Sequence, residues 1–557
     1  LPHVRCSAEA AGSGARRGKL PVLSAVVHRA SGAPHLMCAA VDDALVRFSK
    51  DSPATTEAEI DELLSACLRR HAEVEEGKWV RIVEDFGPRA AEQRTKQWLQ
   101  RRAKKLPAGD ADAAAKPVVA IERMDKYGRV LVATADIPVF QVIVAETPLI
   151  IGLSSIGDEL KERIQKWCQP VGVDAGDALK VVEFLKAFCE ADQSTREKVL
   201  VCYHPERFDE LSESSKAFMR LREVVAEEPW AEGIASELVE KVVVIKLMNA
   251  HPFSVKSARA TAVFEHISVP TNSCSPNAVY TSMCSRHPGC GCLIARAPIA
   301  AGEQVTLSYC EPFLPRNLRL KLLQQSYSFL CDCAACTVKA DLYGCVACPA
   351  CIPRDADGLL PADTREWRDK AGYVYYHPQD EVPWLCDTCG ARFSPDALAA
   401  GGMPLVDLER MLFKEHEMLE AHLSDNPSID FDELMSHYSS CLRPLGLRHG
   451  VVVRVQLFLC EVLMGNPDLG LDVLETLADQ LIATVQRNGE HPGEMLPCLV
   501  GIAHVLVRKK RFEKAKLYYE LALEFLVIYG EASSKVKDAQ RGLQACAKKE
   551  PKLVRGL

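Results

Sequence analysis

Apolar and polar positions change their period several times along the chain, and each change marks an element. From Thr55 to Lys105 the spacing is helical: Ile60, Leu63, Leu64, Cys67 and Leu68 fall on one face of TEAEIDELLSACLRRH. Residues 106–116, PAGDADAAAKP, are small, polar and bounded by proline, which predicts a linker. Residues 1–54 mix Gly, Ser, Ala and Arg around a short apolar patch and read as a flexible arm. Strand-like text follows in VVAIE, RVLVATA and QVIVAETPLII, rich in Val and Ile and punctuated by Gly128 and Pro138. Helical periodicity occupies 155–250, and strands return from about 262 to 309. From Leu405 onward the text is helix after helix, broken near Asn426-Pro427, Asn466-Pro467 and His491-Pro492.

These 557 residues suggest three to four domains at about 150 residues each. Hydrophobic residues make up 48% and charged residues 25%, the balance of a globular protein. A net charge of −8 excludes a polybasic nucleic-acid coat, so any nucleic-acid contact needs a local patch. No apolar run approaches the ~18 residues of a membrane span.

Cysteine changes the picture more. Of 23 cysteines, eight (331, 333, 336, 345, 348, 351, 386 and 389) crowd between positions 331 and 389. C-x-C and C-x-x-C spacings suit a tetrahedral metal better than long cross-links, so zinc and a reducing compartment, nucleus or cytosol, are expected. Cys348-Pro-Ala-Cys351 and Cys386-Asp-Thr-Cys389 form two knuckles of zinc-ribbon type. Cys345/Cys348 is the alternative first knuckle, and the C-P-x-C version is preferred. Cys284, His287, Cys290 and Cys292 also cluster, but HPGCG is turn chemistry, and a hairpin tip is the preferred reading.

Two resemblances add to this. KWVRIVEDFGPRAAEQRTKQWLQ, with Ile82, Val83, Phe86 and Trp98 at core spacing from Trp79, resembles the Myb/SANT repeat, a three-helix unit. Its third helix carries Arg94, Lys96, Arg101, Arg102, Lys104 and Lys105 against Glu92, which suits weak DNA binding through residues 92–105. The acidic first helix (Glu57, Glu59, Asp61, Glu62) suits a basic histone tail instead, and the sequence does not choose between them.

The second lies in four stretches: YGRVLVATADIPVFQVIVAETPLI (127–150), Asn249 with Phe253, ISVPTNSCSPNAVY (267–280), and 295–336, which contains GEQVTLSY and YSFLCDCAAC. In this order they resemble the SET domain of protein lysine methyltransferases, most nearly the SET-and-MYND type. The resemblance implies a multidomain α+β fold. Its parts would be a β-rich SET domain at 117–330 with a helical insert at about 151–250, and a post-SET and zinc-ribbon-like segment at 331–400. A C-terminal all-α TPR-like lobe would follow at 401–557, where Ala515, Tyr519 and Ala522 match a tetratricopeptide helix. The C-x-x-C pairs of a MYND finger are missing from 151–250, which hold only Cys168, Cys189 and Cys202.

The family likeness also implies roles. Tyr309 is the expected catalytic residue, with Tyr327 and Phe329 walling a lysine channel. Gly128, Arg129, Asn249, Ser268, Asn272 and Ser273 are the expected contacts to S-adenosyl-L-methionine. Cys274 is the implied fourth ligand to a first structural zinc beside Cys331, Cys333 and Cys336; Cys348, Cys351, Cys386 and Cys389 would hold the second. Two departures stand out: Val130 replaces a family glycine, and the family's N-H-S-C reads Thr271-Asn272-Ser273-Cys274. The expected substrate is a protein lysine, a histone tail first among them, with no membrane partner and a place in nucleus, cytoplasm or both. The alternatives are a catalytically weak chromatin adaptor and a methyltransferase of a cytosolic non-histone protein.

Overall fold

The computed structural model describes residues 118–554 apart from 154–155, 206–207, 209–210, 256–257, 369 and 426–429. The arm of 1–54, the Myb/SANT-like unit of 55–105 and the linker of 106–116 lie outside the described residues. Apart from residues 485–487, the elements below belong to the unit formed by residues 114–484 and 491–557.

The chain enters as an antiparallel hairpin, β1 (Val119–Met124) and β2 (Gly128–Ala133), whose register runs from Val119 opposite Ala133 to Met124 opposite Gly128. Gly128 has φ +67°, a conformation that glycine adopts without a Cβ penalty. The run QVIVAETPLII divides at Thr147-Pro148 into β3 (Val142–Glu146) and β4 (Ile150–Gly152), which join different sheets. Proline cannot donate to a ladder, so the strand breaks there.

Among the described residues six α-helices follow: α1 (Asp158–Val171), α2 (Ala175–Glu190), α3 (Gln193–Leu200), α4 (Glu213–Met219), α5 (Leu221–Val225) and α6 (Ser236–Asn249). Asp174 and Asp192 cap α2 and α3 by accepting the N–H groups of Asp177 and Thr195. Ile164, Val182, Phe184, Phe188, Val242 and Ile245 make their common core, with Cys168 and Cys202 as small apolar members.

Strands then return, about ten residues before the expected start near 262: β5 (His251–Val255), β6 (Ala258–Val263), β7 (Thr271–Asn272), β8 (Ala278–Thr281), β9 (Gly291–Ala295) and β10 (Thr306–Leu307). They form sheets of order β4-β6-β5 and β3-β9-β8 and a parallel β7-β10 pair. All five residues of β9 are buried. Successive side chains leave a strand on opposite faces. Leu293 and Ala295 therefore pack with Leu131, Phe253 and Phe264, while Cys292 and Ile294 pack with Phe525 and Ile528 of the C-terminal helices.

Beyond the strands come α7 (Arg316–Tyr327) and α8 (Ala334–Thr337), then a four-stranded antiparallel sheet of β11 (Val346–Ala347), β12 (Tyr373–Tyr376), β13 (Trp384–Cys386) and β14 (Arg392–Phe393). The tail is helical: α9 (Leu405–Asp425), α10 (Phe431–Leu445), α11 (Gly450–Gly465), α12 (Leu471–Arg487), α13 (Pro492–Met495), α14 (Leu499–Arg508), α15 (Phe512–Leu526) and α16 (Ser534–Lys548). Helix α15 buries Ala515, Tyr519 and Ala522 and packs against both α14 and α16. A Cβ at Gly542 would fall inside the Tyr519 ring, so glycine is what lets α16 seat there. Arg454–Glu311 and Arg296–Glu494 ion pairs, at 3.0 and 2.8 Å, tie the tail to the strands. Among the described residues no helix is long and apolar enough to cross a membrane.

Candidate active site and metal centres

The parallel pair β7-β10 sets Thr271 opposite Thr306 and Asn272 opposite Leu307. Asn277 pins the pair: its Nδ2 donates to the Gln304 carbonyl at 2.8 Å, and its Oδ1 accepts the Thr306 N–H at 2.8 Å. Two non-adjacent pieces of sequence, Asn272-Ser273-Cys274 and Ser308-Tyr309-Cys310, are thereby held side by side. The sequence places Tyr309 at the end of a strand; in the structure β10 stops at Leu307 and Tyr309 lies beyond it. Its N–H donates to Asn272 Oδ1 at 2.9 Å in place of a ladder partner.

Tyr309, Tyr327 and Phe329 meet as expected. Ring centroids lie 4.9 Å apart for Tyr309–Tyr327, 6.5 Å for Tyr309–Phe329 and 6.4 Å for Tyr327–Phe329. Tyr327 ends α7, and Ser328 at φ +60° turns the chain so that Phe329 comes back to the same cluster. The Tyr309 hydroxyl donates to the Pro270 carbonyl at 2.7 Å. Burial pushes the Tyr309 phenol well above its ordinary pKa, and Tyr327 upward as well, so both stay neutral near pH 7.

Cys274, Cys331, Cys333 and Cys336 bring their sulfurs within 4.8 Å of one another, as do Cys348, Cys351, Cys386 and Cys389. Zn–S bonds of about 2.3 Å in a tetrahedron require S···S edges of about 3.8 Å. Cys336–Cys274 and Cys274–Cys331 stand at 3.6 and 3.9 Å. In the second set Cys348–Cys389 and Cys351–Cys386 stand at 3.7 and 3.8 Å. Both donor sets therefore fit zinc. Cys345 is fully buried and outside the second set; the sulfurs that converge with Cys386 and Cys389 are those of Cys348 and Cys351. The Cys284–Cys292 segment is a turn: Cys290 N–H bonds the His287 carbonyl, His287 N–H bonds the Cys284 carbonyl, and Cys284 and Cys292 lie in an apolar cluster.

The expected cofactor contacts are more dispersed. At Gly128 a Cβ would meet nothing within 4 Å, so the backbone there is open. Arg129 Nη1 donates to the Val201 carbonyl at 2.8 Å. Asn249 spends its amide on Tyr203 and Ile245, donating to their carbonyls at 2.7 and 2.8 Å while accepting the Tyr203 N–H at 3.1 Å. Ser268 Oγ donates to the Asn249 carbonyl at 2.9 Å, and Ser273 Oγ accepts the Ser275 N–H at 3.2 Å. Asn249 and Ser268 thus shape backbone around the site, and their own side-chain polar atoms are engaged. Val130 is fully buried opposite Glu122, and Thr271 Oγ1 donates to Gln304 Oε1 at 3.3 Å.

Sequence reading missed two participants. Asp332 pairs with Lys126 and accepts from the Tyr127 hydroxyl at 3.3 Å, joining the β1-β2 turn to the first thiolate loop. Glu146 Oε1 accepts the N–H groups of His266 and Ile267 at 2.9 and 2.7 Å, and its Oε2 faces His266 Nδ1 at 3.1 Å. Asp332 stands between two thiolate ligands and Glu146 in the quoted 127–150 stretch, but neither spacing marks its partner; the fold alone unites them.

No protein-family model matches the chain. It is similar to N-lysine methyltransferase SMYD2 of Gallus gallus, 31% identical over 103 residues, 18% of this chain and 22% of the relative. It is also similar to N-lysine methyltransferase SMYD2-B of Danio rerio, 34% identical over 80 residues, 14% and 17% of the two chains. The chain thus spans about a fifth of the length of these curated relatives. Among solved structures, the SET domain of LSMT bound to lysine and AdoHcy aligns over 83% of this chain and 92% of its own, at 13% identity and a TM-score of 0.28.

Proposed function

We propose that this chain is an S-adenosyl-L-methionine-dependent protein-lysine N-methyltransferase. The observation that carries the reading is the Tyr309–Tyr327–Phe329 enclosure, seated directly against a four-thiolate set that includes Cys274. S-adenosyl-L-methionine, when bound, supplies an electrophilic sulfonium methyl. The chain's own residues then have to align the amine, strip its water and keep it neutral.

Desolvation inside a channel disfavours the ammonium form of a lysine near pKa 10.4, which promotes loss of its proton. The Tyr309 hydroxyl commits its hydrogen to the Pro270 carbonyl, so its oxygen offers lone pairs to the reacting centre. Tyr327 and Phe329 flank an aliphatic lysine stem. The thiolate set braces the loop that carries Phe329, a structural role for zinc.

The substrate reading is a histone tail or another chromatin-associated protein, with residence in the nucleus. It rests on the Myb/SANT-like text at 55–105 and its basic stretch at 92–105. The test is labelled methyl transfer by the full chain to a histone mixture and, separately, to cytosolic protein. Labelled histone supports the whole reading; label on cytosolic protein alone keeps the chemistry and moves the substrate. A second reading, a catalytically weak adaptor, is favoured by Val130 and by the fully engaged amide of Asn249. It requires calorimetry to find no cofactor binding.

A further inference from the structure

Asn272 occupies the position of the family's histidine, and its side chain bridges the two parts of the site. Its Oδ1 accepts the backbone N–H of Tyr309 at 2.9 Å, and its Nδ2 lies 3.3 Å from Cys331 Sγ. The orientation is fixed by chemistry: a peptide N–H can only donate, so the amide oxygen must face Tyr309 and the NH2 must face sulfur. β10 ends at Leu307, so Tyr309's N–H has no ladder partner in its place. Cys331 is buried, and a buried thiolate needs N–H donors. A single side chain satisfies both needs.

We propose that Asn272 is a positioning residue that couples the Cys274/Cys331/Cys333/Cys336 metal site to the backbone of Tyr309. This rests on the proposed function only for its consequence in turnover. With zinc held, Cys331 fixes the Asn272 amide and the amide fixes Tyr309. With zinc removed, the amide swings with the loosened Cys331 loop and Tyr309 loses its anchor.

Hydrogen exchange of the full-length protein, read on the peptide covering Tyr309, tests the coupling without any enzymatic assay. In the wild type, stripping zinc with a chelator should speed Tyr309 amide exchange about tenfold or more. In Asn272→Leu, exchange should already be fast and indifferent to zinc. Cys386→Ser, which empties only the second site, should leave it slow. Zinc transfer to a chromophoric chelator supplies a second readout. Asn272→Asp keeps the acceptor for Tyr309 but sets an oxygen against sulfur, and should release the first zinc roughly 10–100-fold faster, the usual cost of losing an outer-shell partner. Asn272→His, with one acceptor and one N–H donor, should restore slow release. If wild-type Tyr309 exchange ignores zinc, or if Asn272→Asp accelerates release equally from both sites, the coupling is overturned. Where methyl transfer is measurable, Asn272→Leu should lower kcat with little change in the KM for the protein substrate. An inactive wild type with zinc-dependent exchange would sink the proposed function and leave the coupling standing.

Discussion

Gly372 lies against Cys386 with no room for a side chain: a Cβ there would come within 2.7 Å of Cys386 Sγ and 2.9 Å of Cys351 Sγ. Glycine at this point is a packing requirement of the second thiolate set. Gly372→Ala should therefore lose one zinc of two by elemental analysis. Overpacking of this kind costs about 1–3 kcal/mol, so a lowered melting temperature should accompany the loss. Two retained zincs would show that the sulfurs adjust around the methyl.

Tyr309→Phe keeps the ring contacts to Tyr327 and Phe329 and removes only the hydroxyl. Turnover should fall by a factor of a hundred or more, with cofactor affinity measured by calorimetry nearly unchanged. Because the buried phenol stays protonated, the wild-type rate should rise with pH as substrate lysine deprotonates, without a downturn at Tyr309's ordinary pKa near 10.

His266 gives a pH signature. Its hydrogen bond to Glu146, on a partly buried ring, holds its pKa above the ordinary 6.5. A raised folded-state pKa means stabilisation fully present below pH 6.5 and lost as pH rises through the raised value. The melting-temperature gap between wild type and Glu146→Gln should thus be widest near pH 5.5 and narrow toward pH 8. It should not close, because Glu146 also accepts two backbone N–H groups.

Glu409 and His449 are both buried, with Glu409 Oε1 3.1 Å from His449 Nε2. His449 Nδ1 accepts the Val451 N–H at 3.2 Å, so Nε2 carries the hydrogen that Glu409 receives. Glu409→Gln retains an acceptor and should cost about 1 kcal/mol in denaturant titration. Glu409→Ala strands the imidazole N–H and should cost about 1–3 kcal/mol more. Equal costs would mean that packing alone matters there.

For the region outside the described residues, charge reversal of Arg94, Lys96 and Arg101 in the full chain should abolish weak duplex DNA binding. Wild-type affinity should fall with salt at a log–log slope of about −0.9 per phosphate contact. Should reversal of Glu57, Glu59 and Glu62 instead abolish histone-peptide binding, the acidic first helix is the recognition surface.

Legibility in the sequence followed the range of the forces involved. The knuckles at Cys348/Cys351 and Cys386/Cys389, the breaks at Asn466-Pro467 and His491-Pro492, and the helices from Leu405 are local, and spacing exposes them. Cys274 came only with the family likeness, since nothing nearby marks it as a partner of residues 57 positions on. Asp332 with Lys126, and Glu146 with the His266 loop, depend on tertiary closure, and no local spacing pairs them. The strand end before Tyr309 was misread by two residues because a side chain, Asn272, ends the ladder.

Strand β9 is shared property: one face belongs to the strand core and the other to Phe525 and Ile528. A fragment cut before Leu405 would carry every residue named in the candidate site, yet it would strip Phe525 and Ile528 from Cys292 and Ile294 and leave a less-covered apolar stripe there. Such a stripe invites self-association. Shortening this chain to the candidate site alone should therefore yield an aggregating product, and an expressible minimum must keep the helices through Ile528.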